Sequence, residues 1–427
     1  MTQRFNNIKT VHGQLNLPGD KSLSHRSIMF ASLAEGKSII HNCLNAADIE
    51  STIGCFRNLG CSITREGDKV RVVGKGFKGF VKPDCELYAG NSGTTARLIS
   101  GILATQDFES TIIGDESLSK RPMKRIVEPL RLLGADIEAS ADGCLPLHFK
   151  PTKNLSPIEY NLPVASAQLK SAILLAGLHL EQETCVIEKD VTRNHTEKLL
   201  GLKVIEEEGV RKIYSSKKNY PKPFEFFVPA DISSAAFFVV LGLLLKDSKL
   251  IIKNVLLNET RNGFLRVLQS MGADIQIENQ QKDMGELFGD LIVKSSQLKN
   301  IVISKELVPN IIDEIPILSV AGIFADGEFE IGHAKELRFK ESDRIKAVCG
   351  NMKKLGLDVD EFEDGFKISG KPINSFTAFD SYGDHRIAMA FGILSSVLKS
   401  GGEIENFNCV KISNPNFIEQ LQSIITD

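Results

Sequence analysis

The sequence predicts an α/β protein with two lobes, each built from repeats of one structural unit. At 427 residues the chain exceeds the size at which a single hydrophobic core usually stops growing, so two domains are expected. An apolar segment followed by Gly, two further residues and then Ile or Val occurs five times, and the glycines lie 74, 67, 71 and 84 residues apart. Five matches at a nearly constant period indicate a repeated α/β unit.

The five repeated glycines are Gly60, Gly134, Gly201, Gly272 and Gly356. Glycine at the end of an apolar segment permits the left-handed backbone that stops a helix and turns the chain into a strand. A sixth unit is expected to straddle the termini or to end in residues 417–421. The repeats then number six, in two groups of three.

The boundary between the two groups is expected near residues 226–231. A short strand there meets Asp231, a typical helix-capping residue, ahead of an apolar helix at residues 235–245. No low-complexity linker separates the groups, which favours two lobes hinged around a cleft over two independent modules. The predicted lobes are residues 20–228, and residues 1–19 together with 229–427.

Composition indicates a globular protein with neither a membrane nor a nucleic-acid partner. A net charge of -3 argues against a nucleic-acid surface, and the longest apolar run, residues 235–245, is too short to span a bilayer. The N-terminus lacks the apolar core of a signal peptide. The eight cysteines are spread singly and the eight histidines show no metal-ligand spacing, so we expect a cytoplasmic protein without a metal.

Six short loops combine Lys, Arg or an amide side chain with Gly, Ser, Thr, Asn or Pro. This composition lets backbone N–H groups and charged side chains approach phosphate or carboxylate oxygens. The loops are residues 17–26, 90–97, 114–123, 166–168 together with Arg193, 338–344 and 383–386. One phosphate needs one such loop, so six loops predict a pocket for small substrates that carry several negative charges.

Each loop also has an ordinary structural explanation. The Lys21 loop lies between an alternating segment and a helix-like run at residues 24–33, which is an anion site by geometry and equally an ordinary helix cap. Residues 120–125 resemble a basic helix start with Pro122 in its first turn. Asp313, inside an apolar run, is either a helix cap or a desolvated base, with the cap slightly favoured. A solvated ion-pair face is the common explanation for Glu341.

Residues 74–79 match the G-x-G-x-x-G pattern of dinucleotide-binding proteins. That fingerprint requires a helix after the glycines, and the sequence signals none. We interpret the segment as a hairpin turn between strands at residues 70–73 and 80–81.

Taken together and in this order, the loops closely resemble those of the 5-enolpyruvylshikimate-3-phosphate (EPSP) synthase family. The likeness extends from about Leu17 to Arg386. Gln168, the segment 193–197 and Leu98 are similar to a bacterial branch whose loops differ from those of the enterobacterial and plant enzymes. The resemblance implies a two-lobed inside-out α/β barrel, with three βαβαββ units in each lobe around a hinge cleft.

The family transfers the enolpyruvyl group of phosphoenolpyruvate to the 5-hydroxyl of shikimate 3-phosphate and releases phosphate, in chorismate and aromatic amino-acid biosynthesis. The resemblance implies a monomer that needs no cofactor. It implies that shikimate 3-phosphate is held by Lys21, Ser22, Arg26, Ser166, Gln168, Arg193, Asp313 and Lys340. It implies that phosphoenolpyruvate is held by Lys21, Asn91, Gly93, Arg121, Gln168, Arg344 and Arg386.

The chemistry requires a base for the hydroxyl proton and an acid that protonates the methylene carbon as a tetrahedral intermediate forms. By the same resemblance Asp313 is the base and Glu341 the acid, with Lys21 as a proton shuttle. Gly93 stands where the family contacts glyphosate, so we expect inhibition competitive with phosphoenolpyruvate. Some relatives place a further phosphoenolpyruvate-binding lysine near the end of the chain, where Lys411 aligns ambiguously.

Two other functions compete with this one. The related UDP-N-acetylglucosamine enolpyruvyl transferases usually carry a reactive cysteine in a loop that corresponds to residues 114–119, where this chain has none. A non-catalytic binder of anions or RNA is the second alternative. The negative net charge and the absence of interleaved aromatic residues count against RNA.

Overall fold

The structure is a computed structural model, and it describes residues 1–426. The chain divides into two compact units. Unit 1 comprises Met1–Leu17, Pro229–Lys282 and the chain from Leu287 onward, and unit 2 comprises Pro18–Val228 and Asp283–Glu286.

The division differs from the predicted lobes at residues 18–19 and 283–286, which lie in unit 2. Gly19 packs so closely within unit 2 that an added Cβ would lie 2.0 Å from the carbonyl oxygen of Asn42. Glu286 accepts a hydrogen bond from the buried ring of His195, with 2.8 Å between the Nδ1 and Oε1 atoms.

Fourteen α-helices are found within residues 1–426. They are α1 (Lys21–Leu33), α2 (Ala47–Asn58), α3 (Gly93–Leu103), α4 (Glu116–Ser119), α5 (Lys124–Leu132), α6 (Ala167–Gly177), α7 (His195–Leu200), α8 (Ile232–Leu244), α9 (Gly263–Ser270), α10 (Val308–Ile311), α11 (Ile315–Phe324), α12 (Arg344–Lys353), α13 (His385–Val397) and α14 (Phe417–Gln422). Three short 3-10 helices lie at Lys217–Asn219, Lys335–Phe339 and Phe407–Ile412.

The described chain also forms 23 β-strands. They are β1 (Gln3–Phe5), β2 (Thr10–Asn16), β3 (Glu35–His41), β4 (Ser62–Glu66), β5 (Lys69–Lys75), β6 (Leu87–Tyr88), β7 (Ser110–Ile113), β8 (Ile137–Ala139), β9 (Leu147–Phe149), β10 (Glu159–Asn161), β11 (Thr184–Glu188), β12 (Lys203–Glu207), β13 (Val210–Ser215), β14 (Glu225–Phe227), β15 (Lys249–Leu256), β16 (Asp274–Asp283), β17 (Glu286–Lys294), β18 (Phe329–Ile331), β19 (Asp358–Glu361), β20 (Phe366–Ser369), β21 (Thr377–Asp380), β22 (Gly402–Glu405) and β23 (Ile425–Thr426).

Unit 2 contains three four-stranded sheets of the same design. Their strand orders are β14-β3-β5-β4, β6-β7-β9-β8 and β10-β11-β13-β12. In each sheet the first two strands are parallel and the other neighbours are antiparallel. The second and third sheets follow the chain order βαβαββ, with the short α4 as an addition to the second. In the first sheet, β14 from the end of the unit supplies the leading strand.

Unit 1 repeats this design less regularly. Its largest sheet has the order β16-β17-β15-β2-β23, in which β2 from the N-terminus is the leading strand beside β15. The other two sheets have three strands each, with the orders β18-β20-β19 and β1-β22-β21. In the first of these a single parallel bridge between Lys299 and Asp326 stands where the leading strand would be.

Helices occupy the interior of each unit. In unit 1, α8, α11 and α13 are buried on nearly every side and contact one another. In unit 2, α1, α3 and α6 are similarly buried. Helices that are apolar all round are core helices, and here the sheets cover them. The predicted inside-out α/β arrangement is confirmed, although no sheet among the described residues closes into a barrel.

A close helix contact holds α3 against α6. A Cβ added to Gly101 would lie only 2.1 Å from the carbonyl oxygen of Ala172. Glycine therefore lets the two backbones approach more closely than any side chain would allow.

The five glycines of the sequence period all adopt the predicted left-handed backbone. Their φ angles are +92° at Gly60, +102° at Gly134, +59° at Gly201, +98° at Gly272 and +70° at Gly356. They follow α2, α5, α7, α9 and α12, and a strand begins two or three residues after each of them. In the sixth repeat α14 leads to β23 without a glycine.

Two local predictions have different outcomes. Asp231 caps α8 as predicted, because its carboxylate accepts from the backbone N–H groups of Ser233 and Ser234 at 2.7 and 3.3 Å. The hairpin predicted at residues 70–81 is wrong, since β5 ends at Lys75 and residues 80–81 form no strand. Within residues 1–426 no helix is both long and apolar enough to cross a membrane.

Candidate active site

The Lys21 loop of unit 2 leads directly into α1. Asp20 caps this helix, with its carboxylate 2.8 Å from the backbone nitrogen of Leu23. The ammonium group of Lys21 lies 2.5 Å from the carboxylate of Asp48, in the first turn of α2. Because the Lys21 side chain keeps 24% of its surface exposed, it is fixed at one side and open to solvent at another.

Arg26 lies one turn further into α1 and is buried. Its guanidinium donates to Thr196 Oγ1 at 2.8 Å, to Ser171 Oγ at 2.9 Å and to the carbonyl of Ser22 at 3.1 Å. Burial lowers the pKa of Arg26 to about 10, against the opposing effect of Glu197. The side chain thus cross-links α1, α6 and α7.

The loops at residues 90–97 and 114–123 come together through Arg121. Its guanidinium donates to Asn91 Oδ1 at 2.7 Å, and the Asn91 amide donates to Asp115 at 2.7 Å. Asp115 also caps α4. Pro122 lies between α4 and α5, so the expectation that it belongs to the first turn of a helix is wrong.

The loop at residues 166–168 joins the same cluster. Gln168 accepts from Arg97 Nη1 at 2.7 Å and donates to Thr94 Oγ1 at 3.1 Å. A Cβ added to Gly93 would lie 3.3 Å from Nη1 of Arg97 and 3.6 Å from Nη1 of Arg121. Three loops that are distant in sequence therefore converge around the N-terminus of α3.

Ser166 lies two residues before Gln168, and the positive charge of Arg193 is close enough to Arg26 to lower its pKa. Ser166 caps α6 through the backbone nitrogen of Leu169 at 3.3 Å. Arg193 is half-buried in the loop between β11 and α7. Ser22, also half-buried, is the second residue of α1.

Arg344 is the centre of the corresponding cluster in unit 1. Its guanidinium, 1% exposed, lies 2.8 Å from Asp384, 3.0 Å from Asp313 and 2.7 Å from Glu341. Burial alone would lower the pKa of Arg344, but the three carboxylates raise it overall. One permanently charged side chain therefore holds the predicted base and the predicted acid together.

Two further cations approach Asp313. The Lys340 ammonium lies 3.9 Å from Oδ1 of Asp313, and the Arg386 guanidinium lies 4.0 Å from its Oδ2. Arg386 also lies 3.7 Å from the buried carboxylate of Glu314. Burial raises the pKa of Glu314, while Arg261 and Arg386 oppose this effect.

The preferred local explanations for the two carboxylates are wrong. Asp313 lies between α10 and α11 and caps neither, since its carboxylate pairs with Arg344. Glu341 does not belong to a solvated ion-pair face, because its partner Arg344 is buried. Asp384 caps α13, with 2.8 Å between its carboxylate and the backbone nitrogen of Arg386.

Known proteins of one family are similar to this chain over nearly its whole length. The sequence model of the EPSP synthase (3-phosphoshikimate 1-carboxyvinyltransferase) family matches residues 5–421. The chain belongs to this family. The resemblance recognised from the loops is thereby confirmed.

Curated relatives of the family are similar over their full length. The 3-phosphoshikimate 1-carboxyvinyltransferase of Petrotoga mobilis is 47% identical over 422 residues, which cover 97% of this chain and 98% of the relative. The enzyme of the same name from Bacillus subtilis is 43% identical over 425 residues, 98% of either chain.

Solved structures of the family have the same fold. The EPSP synthase from Acinetobacter baumannii superposes with a TM-score of 0.89 at 40% identity, covering 100% of this chain and 98% of that one. An enolpyruvyl transferase from Streptomyces tendae has a TM-score of 0.76 at 14% identity, covering 100% of this chain and 97% of that one, and this likeness concerns the fold alone.

Sequence reasoning missed several charged groups of this family member. Asp48 was not predicted as the partner of Lys21, although an acidic residue early in a helix is a signal for a capping or pairing role. Lys170 is fully buried on α6 beside Glu188 and Glu197, at 2.9 and 2.7 Å. Glu314 carried no signal apart from its position next to Asp313.

Lys411 lies exposed in the last 3-10 helix. In residues 1–426 no group of three or more His, Cys, Asp or Glu side chains is placed to hold a metal ion.

Proposed function

We infer that this chain transfers the enolpyruvyl group of phosphoenolpyruvate to the 5-hydroxyl of shikimate 3-phosphate and releases phosphate. The observation that carries this conclusion is the family match over residues 5–421, together with full-length relatives named for this reaction. The step belongs to chorismate and aromatic amino-acid biosynthesis. The related UDP-sugar reaction is disfavoured, because residues 114–119 contain no cysteine.

Unit 2 carries the first set of proposed phosphoenolpyruvate ligands, in the Lys21 loop and in the three loops around the N-terminus of α3. They are Lys21, Asn91, Gly93, Arg121 and Gln168. Arg121 is oriented by Asn91 at 2.7 Å, and Gly93 leaves room for an anion beside the N-terminus of α3. A phosphate and a carboxylate close together repel each other, so several fixed cations are needed to hold both.

The same unit carries most proposed ligands of shikimate 3-phosphate, namely Lys21, Ser22, Arg26, Ser166, Gln168 and Arg193. Arg26 faces protein acceptors with three of its N–H groups, so we assign it chiefly the task of holding α1 against α6 and α7. We propose that its other N–H groups donate to a substrate hydroxyl.

In unit 1 we propose Arg344 and Arg386 as phosphoenolpyruvate ligands, and Asp313 and Lys340 as ligands of shikimate 3-phosphate. Asp313 acts as the base and Glu341 as the acid, with Lys21 as a proton shuttle. Arg344 holds Asp313 and Glu341 at 3.0 and 2.7 Å, which fixes both before substrate arrives. A bound carboxylate that engages Arg344 competes with Glu341 for it, and this favours the protonated form that an acid requires.

The reaction is tested by phosphate release. Mixing the protein with phosphoenolpyruvate and shikimate 3-phosphate should release phosphate, and replacing shikimate 3-phosphate by UDP-N-acetylglucosamine should not. Release with the UDP-sugar alone would assign the chain to the other enzyme class.

The acid is tested by Glu341→Gln. This variant should bind both substrates in calorimetry while turnover falls about a hundredfold or more, the usual contribution of a positioned acid. Glu336→Gln is the matched control, because Glu336 is exposed in the neighbouring 3-10 helix. Near-normal turnover of Glu341→Gln would reject its role.

The remaining expectations stay predictions. Gly93 should allow glyphosate to inhibit competitively with phosphoenolpyruvate, which initial-rate kinetics would show. A monomeric, cytoplasmic protein without a nucleic-acid partner is expected, and sedimentation of the purified chain measures the first of these properties.

A further inference from the structure

A line of buried hydrogen bonds joins three helices of unit 2. His25 Nδ1 on α1 lies 2.7 Å from Thr52 Oγ1 on α2, which lies 2.7 Å from Thr95 Oγ1 on α3. Thr95 Oγ1 in turn donates to Ser92 Oγ at 2.8 Å. The four side chains belong to residues that are at most 1% exposed. Bulk solvent therefore does not reach these hydrogen bonds.

Both ends of the chain adjoin proposed phosphoenolpyruvate ligands. His25 lies four residues after Lys21 on α1. Thr52 lies four residues after Asp48, the carboxylate that pairs with Lys21. Ser92, at the other end, is the residue between Asn91 and Gly93 and caps α3. The line of hydrogen bonds thus connects the helix that begins at Lys21 with the loop that contains Asn91 and Gly93.

The geometry also gives this line of hydrogen bonds a donor-to-acceptor direction. Burial lowers the pKa of His25 to about 3, so the ring is neutral at pH 7. Its Nε2 atom is buried and has no hydrogen-bond partner among the described residues. An unfilled acceptor is a smaller penalty than an unfilled N–H donor, so the proton belongs on Nδ1.

His25 then donates to Thr52, Thr52 donates to Thr95, and Thr95 donates to Ser92. Ser92 Oγ additionally accepts from the backbone nitrogen of Thr95 at 3.1 Å. Bonds that run in one direction polarise one another, which strengthens the whole chain. Its end point is the cap of the helix around which the three loops converge.

Stability alone does not account for this arrangement. Replacing both partners of a buried hydrogen bond by apolar groups of the same shape is nearly neutral for folding. Ile28, Ile49 and Ile53, on the helices that carry His25 and Thr52, are also fully buried. A wholly apolar set of side chains would fit among them, whereas hydroxyl groups fix the distance and the orientation between helices.

We propose that His25, Thr52 and Thr95 are positioning residues that set the Lys21 loop against the N-terminus of α3. They act on phosphoenolpyruvate only through Lys21, Asn91 and Gly93, so the inference rests on the proposed function of those residues. Losing one hydroxyl moves the two loops relative to each other without removing any substrate contact. KM for phosphoenolpyruvate is therefore the kinetic constant that should respond most to the loss of one hydroxyl.

Steady-state kinetics of Thr52→Val and Thr95→Val test this proposal. Each variant should raise KM for phosphoenolpyruvate about tenfold, the factor that corresponds to one buried hydrogen bond. KM for shikimate 3-phosphate should rise by a smaller factor, because Asn91 and Gly93 are proposed ligands of phosphoenolpyruvate alone whereas Lys21 is shared by both substrates. Thr95→Ser keeps the hydroxyl and should restore KM.

Ser100→Ala is the matched control. Ser100 is also buried on α3, but its hydroxyl donates to the carbonyl of Ala96 within the same helix at 2.7 Å. This variant should leave KM for both substrates unchanged. If Thr52→Val folds poorly, the comparison between Thr95→Val and Thr95→Ser still decides.

Two outcomes would overturn the inference. One is an unchanged KM for phosphoenolpyruvate in Thr95→Val. The other is that Thr95→Val and Ser100→Ala raise the KM values of both substrates by the same factor. Lys21→Met separates this failure from that of the underlying assignment. If wild-type protein turns over and Lys21→Met keeps its KM for phosphoenolpyruvate, the assignment of Lys21 is wrong and the inference fails with it, while the reaction stands.

Discussion

Replacing Lys170 by methionine should destabilise unit 2 by about 3 kcal/mol. The Lys170 ammonium lies 2.9 Å from both carboxylate oxygens of Glu188 and 2.7 Å from Glu197. The three side chains are 0%, 1% and 3% exposed, so water cannot replace the lost cation. Removing one member of a buried ion pair costs roughly 3–5 kcal/mol. Arg211 remains 3.2 Å from Glu188, which places the expected cost at the lower end.

The assay is urea unfolding followed by far-ultraviolet circular dichroism. Lys150→Met is the matched control, because Lys150 pairs with Glu138 at the surface, where the two side chains are 45% and 57% exposed. An exposed pair of this kind contributes less than about 1 kcal/mol. An equal loss of unfolding free energy in the two variants would refute the reasoning that Lys170, Glu188 and Glu197 are buried charges that compensate one another.

Two other perturbations address packing and pH dependence. Gly101→Ala should cost about 3 kcal/mol in the same unfolding assay, because the new methyl group would lie 2.1 Å from a carbonyl oxygen of α6. Gly54→Ala, in α2, should be neutral or stabilising, because the added Cβ would meet nothing within 4 Å beyond its chain neighbours and the backbone of its own helix. A larger loss of stability in Gly54→Ala than in Gly101→Ala would contradict the packing argument. His25 has a folded-state pKa of about 3 against 6.5 ordinarily, so the unfolded chain binds the proton first and stability is lost as pH falls below 6.5. His25→Asn should remove about 2 kcal/mol of the stability difference between pH 7 and pH 5, and an unaltered pH dependence would show that folding does not lower the pKa of this ring.

The features that the sequence predicted well are those decided locally. A left-handed residue after a helix favours glycine whatever the rest of the chain does, and Gly60 and Gly356 are therefore recognisable as members of a repeat from their neighbours alone. Asp231 caps α8 through backbone groups two and three residues away, so the residues beside it in sequence are sufficient evidence. The cationic loops are recognisable for the same reason, because their motifs are short runs of neighbouring residues.

The features that escaped prediction depend on contacts between distant segments. The residues around Asp313 slightly favoured a helix cap, but its carboxylate accepts from Arg344, which lies 31 residues later in the chain. Lys170 stands in an apolar helix, where a lysine that extends its ammonium group into solvent is the ordinary expectation. Its two carboxylate partners lie on other elements, and only the folded chain shows that the ammonium group is buried.

The position of β2 has a consequence for synthesis on the ribosome. This strand, residues 10–16, pairs with β15 and β23, whose residues are made much later. Almost all of unit 2 emerges as one uninterrupted stretch, and domains generally fold as they emerge. The leading strand of unit 1 must therefore wait, unpaired, until more than two hundred further residues have been translated. Thr10, His12 and Gln14 place polar side chains at alternate positions of that waiting segment, which disfavours its pairing with an exposed sheet edge.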